Sequence, residues 1–213
     1  MFSKKINRFY LSFILTIALL INCNNLLFAS EKFDYIKYIK KLESFSSNFN
    51  QATYNEDGAL IKKSYGKLFF KKKSMYRLEY TKPNKIKFIS DGQLLTTYDE
   101  DLEQVIIQRT SLDSRNNIVN LMTDAEFLKN KFKLDIYNSK GNEYVEFIPL
   151  SADLENHFFI IVLRNENIIK ITFMNDFDQS VTMNFEGFKK NIGILDSVFK
   201  IDIPQNFDVI IDK

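Results

Sequence analysis

The sequence predicts a mainly β fold with a few helices, its sheet curled around its own apolar side. Three observations carry this. Beyond Gly58, most of the 213-residue chain alternates apolar and polar positions in twos, the period of a strand with one face buried. Clusters of Gly, Asn and Asp interrupt that alternation at short, near-regular intervals. Helical spacing appears in only two places after the N-terminal segment, so helices can cover a sheet here but cannot form the core alone.

The chain opens with Lys4, Lys5 and Arg8, followed by the apolar run Phe9 to Ile21 and the small residues Ala29 and Ser30. This reads as a secretory signal peptide over residues 1–29, its apolar run shorter than the ~20 residues of a membrane-spanning helix. Residues 30–213 then form a single domain large enough for a sizeable core. From Glu31 to Phe49, Phe33, Ile36, Ile39, Leu42, Phe45 and Phe49 recur at three- and four-residue steps and predict one amphipathic helix. Strands are expected over Gly66–Lys71, Met75–Thr81, Ile86–Phe88, Leu94–Tyr98, Glu103–Gln108, Lys133–Tyr137, Glu143–Ile148, Phe158–Leu163, Ile168–Met174, Val181–Glu186 and Phe199–Ile203. In Met75–Thr81, Tyr76, Leu78 and Tyr80 share one face while Arg77 and Glu79 take the other. Between Asn116 and Asn130 helical spacing returns through Ile118, Val119, Leu121, Met122, Phe127 and Leu128. Two short helices are expected there, with Thr123 and Glu126 as a capping box, placed to cover the mouth of the curled sheet.

Composition narrows the chemistry. Without the signal, 26 basic residues face 27 acidic ones, a balance that offers no cationic surface for nucleic acid and no net attraction to an anionic membrane. Cys23 is the only cysteine and lies within the signal, so the mature chain has neither a disulfide nor a thiol nucleophile. His157 is the only histidine, which excludes an imidazole metal cluster, and at the edge of a strand it reads as structural. No nucleophile elbow, phosphate-cradling glycine loop or H-E-x-x-H motif occurs, and no cofactor or metal is implied. The acidic run Asp99 to Glu103 lacks the ligand alternation of a calcium loop and reads as a solvated turn. Lys71-Lys72-Lys73, between aromatic strands, suits either a solvated turn or contact with anionic headgroups or a partner. The unusual feature is the aromatic load, 21 Phe and 10 Tyr without Trp, enough to line a core or a cavity for acyl chains.

From about Phe33 to Val209 the chain resembles the periplasmic outer-membrane lipoprotein carriers of the LolA type. The most specific block runs from Ser90-Asp91-Gly92 through Tyr98-Asp99 to Leu102-Glu103-Gln104-Val105, matching a D-G turn, a tyrosine and an E-Q pair. Phe45, Phe49 and Gln51, then Gly66, Leu68, Tyr76, Tyr80 and Pro83, then Pro149, and finally Phe199, Pro204, Asp208 and Val209 follow the family's order. The resemblance implies an incomplete, half-open antiparallel β-barrel covered by helices and enclosing an apolar cavity. It implies a non-enzymatic periplasmic carrier, a monomer, that takes lipoprotein acyl chains from an inner-membrane ABC transporter to an outer-membrane lipoprotein acceptor. The cavity residues expected on this basis are Tyr76, Leu78, Tyr80, Phe88 and Leu94, with Lys72, Ile118, Leu121 and Met122 as lid and latch. Two departures stand out. Lys72-Lys73 replaces the family's Arg-Pro pair, whose arginine is thought to hold lid carbonyls, and a lysine lacks the planar fork. Thr96 stands where an aromatic is common, which implies a roomier or more polar cavity. Leu20-Ile21-Asn22-Cys23 also resembles a lipobox with an unfavourable Asn22; acylation of Cys23 would make the protein a membrane-anchored acceptor of the same fold. A lipid-sensing envelope protein on the same half barrel is the other alternative.

Overall fold

The computed structural model describes residues 33–109, 118–151, 158–175 and 177–212, so the signal segment, Cys23 and His157 lie outside the described residues. Helix α1 (Tyr35–Lys41) leads into β1 (Ser44–Tyr54), β2 (Leu60–Lys71), β3 (Met75–Lys82), β4 (Ile86–Asp91), β5 (Leu94–Asp99) and β6 (Gln104–Arg109). Helices α2 (Ile118–Thr123) and α3 (Ala125–Lys131) follow, then β7 (Phe132–Ser139), β8 (Asn142–Pro149), β9 (Phe159–Arg164), β10 (Asn167–Met174), β11 (Ser180–Lys190) and β12 (Asp208–Ile211). Among the described residues these strands make one sheet in the order β12-β6-β5-β4-β3-β2-β1-β11-β10-β9-β8-β7, with free edges at β12 and β7. The sheet is therefore not closed into a barrel. Every pairing is antiparallel except β12 with β6.

Directly opposed residues share a face, so the register defines an inner face. Phe49 on β1 opposes Gly66 on β2 and Phe185 on β11. Leu78 opposes Leu68 and Phe88, and Ile161 opposes Val145 and Ile171. Residues of β1 to β3 and of β7 to β11 join the helices in one contiguous core. The Tyr35 ring of α1 stands edge-on to Phe147 with centroids 5.8 Å apart, and Phe127 of α3 lies 6.1 Å from Phe132. Met122 and Leu128 are fully buried in this core.

The outer face of β3 to β6 is covered in part as well. There Ile89, Tyr98 and Val105 are buried, Phe207 stacks on Tyr98 at 4.8 Å, and Arg77 donates to the Val198 carbonyl at 3.2 Å. A 3-10 turn over Asp196–Phe199 packs against β3 and β4 and buries Phe199. Lys71 fastens this tail through Asp196 at 2.6 Å, and the ammonium holds the carboxyl below its usual range.

Gly66 is where the inner face is tightest. A Cβ there would meet the Glu79 carbonyl oxygen at 2.1 Å and the Phe49 ring at 2.6 Å. The missing side chain lets the Phe49 ring cross β2 and reach Tyr80, edge to face at 5.3 Å.

Three expectations about the elements are corrected. The helix predicted over Glu31–Phe49 ends at Lys41, and the remainder is β1, hydrogen-bonded on both sides. Phe45 and Phe49 are four apart, a spacing that fits one helix face and equally one strand face, while Ser46, Ser47 and Asn48 between them are poor helix formers. The cap of α3 is Asp124, whose carboxylate accepts from Glu126 N and Phe127 N; Thr123 instead donates to the Val119 carbonyl. Phe199–Ile203 is not a strand, because Phe199 closes the 3-10 turn and the following segment lies outside the sheet up to the turn at Pro204. Strand β12, four residues long and exposed throughout, carries no alternation from which to expect it.

Two stability measurements test this packing. Gly66→Ala should cost about 1–3 kcal/mol in urea unfolding, because the clash is partly with backbone. The Tyr38 hydroxyl is buried without a hydrogen-bond partner among the described residues, so Tyr38→Phe should leave stability unchanged or raise it by about 1 kcal/mol.

Candidate functional site

The inner face of β3 to β6 forms an apolar wall. Tyr76, Leu78 and Tyr80 point inward from alternate positions of β3, as their spacing requires. Phe88 faces inward beside Leu78, Leu95 follows across Ser90 from Tyr76, and Ile106 follows across Thr97. Burial grades along this wall. Tyr76 and Leu78 are buried, whereas Tyr80, Phe88, Leu95 and Ile106 are half-buried and keep apolar surface uncovered.

A polar pair is set into this wall. The Tyr80 hydroxyl donates to Gln51 Oε1 at 2.9 Å, and its ring meets Phe49 and Phe88 edge to face at 5.3 and 6.3 Å. Burial pushes the phenol up to about 12, so it stays neutral and continues to donate at physiological pH.

The two short helices lie over the inner face. Ile118 and Met122 of α2 are buried in the core with Val119, while the Leu121 side chain lies outside the described ones. Lys72 does not reach α2 in any described contact. Its ammonium donates to the Lys40 carbonyl at 2.9 Å and to the Glu43 carboxylate, satisfying one of the carbonyls left free at the end of α1. Lys72 therefore anchors α1, which in turn packs against α2 and α3.

Leu94 and Thr96 are not on this wall. Leu94 opposes Arg109, and Thr96 opposes Ile89 and Ile107, which places both on the outer face, with Leu94 41% exposed. Pairing across the Asp91-Gly92 turn sets Ser90 against Leu95, and that register decides the parity of the strand. With Leu94 and Leu95 adjacent, alternation alone cannot choose between them. It thereby misses the wall residues Leu95 and Ile106, and the helical spacing of Phe45 and Phe49 takes Phe49 away from the sheet.

Comparison with known proteins gives this wall its context. The family described as outer membrane lipoprotein carrier protein LolA matches residues 40–202. An outer-membrane lipoprotein carrier protein of Francisella philomiragia subsp. philomiragia is 31% identical over 199 residues, covering 87% of this chain and 91% of its own. A protein of the same description from Pseudomonas putida KT2440 is 29% identical over 81% of this chain and 84% of its own. Among solved structures, an uncharacterized conserved protein from Thermus thermophilus shares the fold with a TM-score of 0.51 at 10% identity, over 84% of this chain and 97% of that one. With the family matched over most of its length, the chain belongs to the outer membrane lipoprotein carrier protein LolA family.

Proposed function

We propose that this protein is a periplasmic carrier that binds the acyl chains of lipoproteins on the inner face of β3 to β6 and releases them at the outer membrane. The observation that carries the reading is the half-buried apolar wall of Tyr80, Phe88, Leu95 and Ile106, which continues a fully buried core and sits in a chain of the lipoprotein carrier family. In this reading Tyr76 and Leu78 form the floor of the site, and α2 with Ile118, Leu121 and Met122 is the part that yields to admit a chain.

The energetics require that it yield. Three chains of about 16 carbons, at ~0.8 kcal/mol per buried CH₂, would contribute on the order of 30 kcal/mol or more if captured completely. A carrier holding its cargo so tightly would not release it. Displacing buried groups such as Met122 from the core on loading offsets part of that gain and brings net affinity between that of donor and acceptor. Transfer is then an exchange without a covalent step. The sequence holds no nucleotide-binding loop, so the energy for loading comes from the inner-membrane ABC transporter, and an outer-membrane acceptor receives the cargo.

Phe88→Glu puts a charge into the wall at a half-buried position and should weaken lipoprotein release from inner-membrane vesicles about 100-fold, with the unfolding transition retained. Leu94→Glu, on the other face, should release lipoprotein as the wild type does; equal release by both variants would refute the wall. Lys72→Leu should change loading or unloading rates while altering stability by less than ~1 kcal/mol, because the Lys72–Glu43 pair is solvent-exposed. Unchanged transfer rates would remove it from the mechanism. Because the Tyr80 phenol is raised to about 12, acyl-chain affinity should stay flat from about pH 6 to 9 and fall only as the phenol ionises above that; a midpoint near pH 7 would place an ionisable group in the wall.

A further inference from the structure

We infer that the outer face of the β1-β2 hairpin is a docking surface for an anionic phospholipid bilayer, an inference that goes beyond the carrier reading and stands without it. Along β2, Ile61, Lys63, Tyr65 and Lys67 alternate onto the outer face, all of them exposed, and Lys82 of β3 stands opposite Tyr65. Ile61 is 52% exposed and Tyr65 47%, high values for large apolar side chains on a strand. Among the described residues, none of these three lysines is in an ion pair.

The neighbouring acids do not neutralise the strip. Glu79, opposite Lys67, is held by Arg77 at 3.2 Å, and Glu186, which keeps its charge while accepting from Asn50 Nδ2 at 3.1 Å, is outnumbered by the three lysines. Glu56 and Asp57 lie in the turn of the hairpin, before the strip begins, so contact would run along the flank of the hairpin and not through its tip.

At the middle of the strip the surface is recessed. A groove of 340 Å³ is lined by Tyr65, Lys67, Asn48, Asn50, Thr81 and Glu186, together with Phe49 and Gly66. It has room for a headgroup phosphate beside Lys67, with the Asn48 amide as a further donor, while Ile61 and Tyr65 reach the boundary between headgroups and acyl chains. Lysine, an exposed tyrosine and an exposed aliphatic on one strand face form the combination that binds an anionic interface, through local charge and a small apolar insertion. The near-neutral total charge conceals this segregation.

The inner wall and this strip lie on opposite faces of the same sheet, so a bilayer can be approached without occupying the acyl-chain site. The test is co-sedimentation of the protein, purified as the expressing cell processes it, with vesicles of phosphatidylethanolamine and phosphatidylglycerol and with vesicles of phosphatidylcholine alone. Binding should favour the anionic vesicles, and the double substitution Lys63→Glu with Lys82→Glu should lower the partition coefficient at least about tenfold. Ile61→Asp should weaken it too, and Lys133→Glu on the far edge strand should not. Phe88→Glu, aimed at the acyl-chain wall, should leave vesicle binding intact. Equal binding to neutral vesicles, indifference to the lysine reversals, loss of binding in Phe88→Glu, or competition by soluble glycerol phosphate would each overturn the inference.

Discussion

The pairing of β1 with β11 is the interaction on which the rest of the structure depends. On either side of it the chain runs as a meander of hairpins, β2 to β6 in one wing and β7 to β11 in the other, each with one apolar face. β1 is hydrogen-bonded to both wings, with Phe49 between Gly66 and Phe185, so their apolar faces become a single surface. A sheet of this width whose edges do not pair leaves that surface open, and the helices fill only part of it. The proposed carrier site is the part left half-filled.

The two faces of the N-terminal wing explain why such a surface is stable. Along β3 to β5 its outer side is covered by the C-terminal tail through Phe199, Phe207 and the Arg77 contact, which braces those strands from behind. The inner side can then leave Phe88 and Leu95 partly uncovered. Lys72 joins the β2-β3 turn to α1, and α1 packs against α2 and α3, which gives a contiguous path from that turn to the covering helices.

Much of this is legible in the sequence where one period dominates. The strands from β2 to β11 follow the two-residue alternation closely, and the two short helices sit where three- and four-residue steps return. Sequence reading fails where periods coincide or where tertiary contacts decide. Phe45 and Phe49 satisfy both periods, so only pairing with β2 and β11 makes them strand. Leu94 and Leu95 are both leucine, so only the register fixed by the Asp91-Gly92 turn tells wall from outer face. β12 is a strand solely because β6 lies beside it, and Asp124 displaces Thr123 as a cap by a shift of one residue. Lys72 stands out by its place in the chain, but its partner, the Lys40 carbonyl, belongs to α1, whose position no local pattern reveals.

The central claim is that acyl chains occupy the inner face of β3 to β6, and neighbouring residues of β5 offer a direct test because they point to opposite sides. A photoreactive amino acid placed at Leu95 should crosslink to a lipoprotein labelled in its acyl chains, and the same group at Thr96 should not. Equal labelling from both positions, or labelling from Thr96 alone, would contradict the account.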